Sequence, residues 1–533
     1  MNAPRNAPTS AKQPGRRAPV WKSARRAAFV AGVAAASLAL AACAPPVSQD
    51  PSPSPSASQG AKQTAPAPAL ESFYSQDVSW SACEGSYECA TVKAPLDYAA
   101  PEKDTVSLAL IRVKATGKRL GSLLMNPGGP GGSGVSFVSQ GGTQSWGSRV
   151  RASYDLIGFD PRGVGRSTAV KCFTAEQTDQ ARETARLPLT PSDIEAGIKE
   201  SKTLADACLA NSPTGLLQHV DTVSSARDMD LLRAVLQDDK LNYLGFSYGT
   251  KLGATYAELF PAKVGRMVLD GALDPALESD AVGTGQAVAF ERALDLYLQT
   301  CLTDSSCPFT GDVAEARKQL TDFVASAEEQ PLSTDSERSV PGSEIVAAIL
   351  LPLYEPAFAP QLTQALVDGV EHQDGTALLG LADLSAERAP DGSYSSNTQE
   401  AFVAINCLDY THGAGTVADV QARAKALSAK APFFGPYMGF DDNCSQWPAK
   451  TVDPPHTLKV ADTVAPIVVI GTTGDPATPY QWAGQLVKQL PGSALVTYKG
   501  EGHTAYGRSN ECIQSAVDDY LVDGSVPASD PQC

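Results

Sequence analysis

Leu241-Asn242-Tyr243-Leu244-Gly245-Phe246-Ser247-Tyr248-Gly249-Thr250 is the stretch on which the fold turns. An apolar run of strand character meets Gly-x-Ser-x-Gly, and residues 251–259 continue with helical character. Strand, sharp turn and helix would follow one another with Ser247 at the tip. Glycine two residues before and two after the serine fits a turn with no room for side chains there. The pattern occurs once in the chain.

The same rhythm continues outward. Residues 222–236 carry Val223, Ala226, Leu232 and Leu236 on one helical face and lead into this strand. Residues 105–113 and 121–125 read as strands, and apolar runs at 154–159, 264–269, 466–470 and 494–498 read as further buried parallel strands. Strands alternating with helices imply an α/β fold with a mostly parallel central sheet. Between 281 and 455 the rhythm breaks. Helical runs at 287–302, 313–328 and 343–351 have no strand series between them, so an inserted helical cap is expected. The expected organisation is a first core part at 73–280, the cap at 281–455 and a second core part at 456–533.

A serine hydroxyl needs a base to become a nucleophile, and an imidazole, ordinarily titrating near pH ~6.5, suits that task. Five histidines are available: His219, His372, His412, His456 and His503. When such a serine opens a helix after a parallel strand, an acid and then a histidine follow it on loops after later strands. His219 precedes the serine, His372 and His412 fall in the cap, and His456 precedes the next strand. His503, in Gly500-Glu501-Gly502-His503-Thr504 after the final strand, fits. Asp475, after the preceding strand, is the matching acid, with Asp462 a poorer choice because it lies before that strand; Asp475 also suits a turn ahead of Pro476.

The loop Asn126-Pro127-Gly128-Gly129-Pro130-Gly131-Gly132-Ser133-Gly134 follows an early strand. Backbone N–H groups there can face a developing oxyanion, and Gly129 with Tyr248 are the expected donors. It lacks the Gly-Lys-Ser/Thr ending of a phosphate-binding loop. Asp160-Pro161-Arg162-Gly163 reads as a structural turn. No Cys-x-x-Cys or clustered histidine supports a metal, and neither metal nor cofactor is expected.

At the amino terminus Arg16, Arg17, Lys22, Arg25 and Arg26 precede an apolar run at 27–42 that ends Leu40-Ala41-Ala42-Cys43. The run is about 16 residues, short of the ~20 that span a bilayer. It reads as an export signal with a lipoprotein-like cleavage site, removing 1–42 and leaving Cys43 to carry lipid. A signal cut elsewhere or a single spanning helix is the other reading, and Arg25-Arg26 leaves the route open between general secretion and twin-arginine export. Residues 43–72, rich in Pro, Ser and Ala, read as a tether. Losing 1–42 removes seven of 42 basic and none of 59 acidic side chains, for a net charge of −24, so nucleic acid is not an expected partner. Of eleven cysteines, those after Cys43 form sequence-near couples: Cys83 and Cys89, Cys172 and Cys208, Cys301 and Cys307, Cys407 and Cys444, Cys512 and Cys533. An even set in an exported chain favours disulfides, of which nearest-neighbour pairing is one scheme.

Taken together, Ala94-Pro95-Leu96-Asp97-Tyr98, Asn126-Pro127-Gly128-Gly129-Pro130-Gly131, Gly158-Phe159-Asp160-Pro161-Arg162-Gly163, Gly245-Phe246-Ser247-Tyr248-Gly249, Asp475-Pro476-Ala477-Thr478-Pro479 and Gly502-His503 resemble the actinobacterial tripeptidyl-aminopeptidase-like serine peptidases, relatives of the proline iminopeptidases with the α/β-hydrolase fold. The resemblance implies an exported enzyme, in several members lipid-anchored to the cell membrane, that hydrolyses peptides or proteins, often from a free amino terminus. Where proline iminopeptidases carry histidine before the glycines of the oxyanion loop, this chain has Pro127. Ala404-Ile405-Asn406-Cys407-Leu408-Asp409 resembles a cap segment of the family, which implies Asp409 as an anchor for the substrate ammonium. The same three groups would also serve a carboxylesterase or lipase. A non-catalytic surface binding protein is the third reading, although such scaffolds usually lose one of them.

Overall fold

In the computed structural model, residues 65–411, 415–438, 444–528 and 530–533 are described. Cys43, the signal, most of the tether and His412 lie outside the described residues. Nine strands are found among the described residues: β1 (Ser81–Cys83), β2 (Tyr87–Pro95), β3 (Thr105–Val113), β4 (Gly121–Asn126), β5 (Tyr154–Phe159), β6 (Leu241–Phe246), β7 (Val264–Asp270), β8 (Ile467–Gly474) and β9 (Ala494–Glu501). They form one sheet in the order β1-β2-β3-β5-β4-β6-β7-β8-β9. The pairs β4–β5, β4–β6, β6–β7, β7–β8 and β8–β9 are parallel, and β1–β2, β2–β3 and β3–β5 are antiparallel.

Every residue of β4 and β5 is buried, because helices cover both faces of this part of the sheet. The hairpin of β1 and β2 escaped the sequence reading. Its inward positions, Ala90, Val92 and Ala94, include two alanines, which give a weak alternation signal. Packing also begins earlier than the expected tether boundary at residue 72. Leu70 and Tyr74 are buried, and the Tyr74 hydroxyl donates to Asp230 at 2.9 Å.

A second apolar cluster gathers Phe290, Leu294, Leu320, Ile349, Leu366 and Phe434 from the helical insertion. Leu187 joins it from the segment between helices Ala175–Thr184 and Pro191–Asn211. Arg182 on the first of these helices donates to Glu344 at 2.7 and 3.0 Å and lies 2.8 Å from Asp383. The helical lobe is thus built from two excursions of the chain. Conversely, helix Thr398–Asp409 buries Ala401, Ala404, Ile405 and Leu408 in the cluster beneath the sheet, although its sequence lies within the expected cap.

Five disulfides form among the described residues, joining Cys83 to Cys89, Cys172 to Cys208, Cys301 to Cys307, Cys407 to Cys444 and Cys512 to Cys533. The parallel strands present their carboxyl ends along one edge, with Asn126 beside Gly245, Phe246 beside Asp270 and Gly474 beside Glu501. Ligands of open α/β sheets bind at that edge.

Candidate active site

Ser247 follows β6 with φ 55° and ψ −124°, a strained conformation for a residue with a side chain. Helix Tyr248–Leu259 begins at the next residue. The flanking glycines are sterically required. A Cβ on Gly245 would sit 2.4 Å from the Gly249 carbonyl oxygen, and one on Gly249 would sit 2.8 Å from that of Asn126. The serine N–H donates to the main-chain oxygen of Asp270, the last residue of β7, at 2.9 Å.

Asp475 and His503 come together on the loops after β8 and β9. The His503 ring nitrogen Nδ1 lies 2.9 and 3.0 Å from the two Asp475 carboxylate oxygens. The same carboxylate accepts the N–H groups of Ala477, Thr478 and Thr504 at 2.9, 2.8 and 3.1 Å and the Thr478 hydroxyl at 3.0 Å. Burial would raise Asp475, but His503 and these N–H groups outweigh it and hold the carboxyl below its ordinary range. Asp475 is therefore ionised at neutral pH. Gly271, which follows the residue bonded to Ser247, leaves its Cβ position 3.3 Å from His503 Cε1. The serine turn and the histidine loop meet at this point.

The glycine loop closes against the same turn. A Cβ on Gly128 would lie 2.8 Å from Ser247 Cβ and 3.2 Å from Tyr248 N. Asn126 Oδ1 accepts the Gly128 N–H at 3.0 Å, so the next N–H along the loop is that of Gly129. Asp160 braces the loop from below, accepting the Ser133 hydroxyl at 2.6 Å and Val135 N–H at 3.0 Å. Arg162 is wholly buried and grips Asp228 through two 2.7 Å hydrogen bonds, which makes this segment structural.

Asp409 does not fit the expectation of an ammonium anchor. Its carboxylate is 1% exposed, accepts the Thr222 N–H at 3.0 Å and the Thr222 hydroxyl, and lies 3.3 Å from Lys251 Nζ. The helix that carries it packs beneath the sheet, so this carboxylate is buried and already engaged by Thr222 and Lys251 rather than presented to a substrate. Thr222 in turn bonds the Tyr248 hydroxyl, which ties Asp409 to the back of the serine turn. Of the other histidines, His456 bonds Glu258 at 3.1 Å, away from the two loops.

Three contributors were not foreseen. The Tyr354 carbonyl accepts the His503 N–H at 2.9 Å, and the two rings pack edge to face at 5.4 Å. Thr478 and Asp270 are the others. Asp270 and Thr478 stand at or just after carboxyl ends of recognised strands, a usable signal, whereas Tyr354 approaches from the helical lobe, 149 residues away in sequence, with no local mark.

A doubly covered, mostly parallel sheet with a serine turn, an acid and a histidine at its carboxyl edge defines a serine hydrolase of the α/β-hydrolase class. The TAP-like protein family matches residues 431–533. Over 481 residues the chain is 36% identical to "Serine protease Hip1" of Mycobacterium tuberculosis, covering 86% of this chain and 91% of the relative. It is 36% identical over 502 residues to "Carboxylesterase B" of the same organism, covering 92% and 95%. "Tripeptidyl aminopeptidase" of Streptomyces coelicolor is 32% identical over 475 residues, covering 86% of each chain. The chain belongs to the tripeptidyl-aminopeptidase-like serine peptidases.

Proposed function

We propose that Ser247 attacks the scissile carbonyl while His503 takes its proton and returns it to the leaving amine. Asp475 holds His503 in the productive tautomer, and the N–H groups of Gly129 and Tyr248 receive the oxyanion. Water then resolves the acyl-enzyme. The observation that carries this reading is the ionised Asp475 on His503 Nδ1, which turns the other ring nitrogen to the task of base beside a serine held at φ 55°.

The substrate is a peptide or protein, cut from its free amino terminus to release short peptides. Relatives named serine protease and tripeptidyl aminopeptidase support this. The enzyme works outside the cytoplasm, held to the membrane by lipid on Cys43. A fluorophosphonate probe tests the nucleophile: labelling at Ser247 that is lost in Ser247→Ala is expected, and labelling elsewhere refutes the assignment. A peptide library with free and blocked amino termini, read by mass spectrometry, tests the cleavage mode. Membrane fractionation of Cys43→Ala against the unaltered chain tests the anchor.

Ester hydrolysis is the second reading, favoured by the equal identity to a relative named carboxylesterase. Turnover of acyl esters far above any peptide would select it.

A further inference from the structure

The side chain of Asp270 has no part in the chemistry above, yet it lies at its centre. This residue ends β7, between the strand that carries the serine and the strand that carries the acid. Its main-chain oxygen accepts the Ser247 N–H. Its carboxylate is fully buried and accepts the N–H of Ala505 at 3.1 and 3.0 Å and that of Tyr506 at 2.7 Å. Those two residues follow His503 closely on the same loop. One residue therefore grips the serine turn with its backbone and the histidine loop with its side chain.

A buried carboxylate is costly, and two N–H groups could be satisfied by a neutral acceptor. Among the described residues no lysine or arginine pairs with it. The titratable groups that act on it are His503 and Asp475 from the catalytic loops, while Tyr506 meets it through its N–H and turns its hydroxyl to Asp518 at 2.7 Å. What a charge adds over a neutral acceptor is a field on the His503 ring, which gains positive charge when it takes the serine proton.

We propose that Asp270 is a positioning residue that locks the Ser247 turn to the His503 loop and, as a second negative charge behind Asp475, stabilises the imidazolium formed during acylation. This rests on the Ser247, His503 and Asp475 reading. Burial pushes the Asp270 carboxyl up to about 6, with Asp475 adding to the rise and the Tyr506 and Ala505 N–H groups and His503 opposing it. In mildly acid solution it takes up a proton, one oxygen stops accepting, and the grip on the loop weakens.

The pH dependence of kcat/KM for the full-length protein, with any substrate it turns over, tests this. The acid limb should steepen from one proton toward two below about pH 6. In Asp270→Asn the limb should return to one proton, with kcat at pH 8 lowered roughly tenfold to a hundredfold and KM changed by less than about twofold. A one-proton limb in the unaltered protein down to about pH 4.5, or an Asn variant with unchanged kcat and limb, overturns the inference. Should Asp270→Asn fail to fold, the limb of the unaltered protein decides alone. Failure of the probe to label Ser247 in the unaltered protein would instead sink the triad reading, a separable outcome.

Discussion

Asp475 and Asp409 are both buried carboxylates, and their partners give them different work. Asp475 serves a histidine, so Asp475→Asn should lower kcat by a factor on the order of 10⁴, through loss of the correct tautomer, with little change in KM. Its stability effect has a definite sign. A carboxyl held below its ordinary range stabilises the fold above that range and loses the contribution as pH falls through its folded value. The thermal deficit of Asp475→Asn should accordingly be present at pH 7 and shrink below about pH 4. Asp409 serves Thr222 and Lys251, so Asp409→Asn should cost about 3 kcal/mol of stability by leaving a buried lysine unpaired, seen in denaturant melts. The relative cleavage of peptides with free and with blocked amino termini, whichever way it falls, should not move. Ser247, Asp475 and His503 were legible because each stands in a local loop directly after an apolar strand. The surroundings of Asp409 were not, since Thr222 lies 187 residues away.

Among elements, the apolar parallel strands announced themselves, because burial on both faces leaves unbroken runs of large aliphatic side chains. The helices of the lobe did so through periodicity, and helix Val313–Glu329 falls where residues 313–328 predicted it. What periodicity cannot say is where a helix docks. Helices Ala175–Thr184 and Pro191–Asn211 lie within the expected first core part at 73–280, yet Arg182 and Leu187 commit that segment to the lobe. Arg182→Ala should therefore loosen the lobe rather than the sheet. About 2 kcal/mol should be lost, with proteolytic cleavage concentrated near residues 170–212 while the fluorescence of the sheet core persists.

For the molecule as a whole, the acidic composition argued against nucleic acid partners and the cysteine couples suggested local cross-links. The described disulfides are indeed local, the longest enclosing a separation of 37 residues. None of them ties β7 to β8, whose pairing joins Met267–Asp270 to Ile467–Ile470 across the whole helical insertion. That pairing is what brings the acid and the histidine to the serine. Its consequence concerns time: during synthesis the serine turn, at Ser247, emerges 228 residues before Asp475 and 256 before His503. A chain ended at residue 465 should bear the nucleophile yet remain unlabelled by fluorophosphonate, and full reactivity should appear only once β8 and β9 have been added.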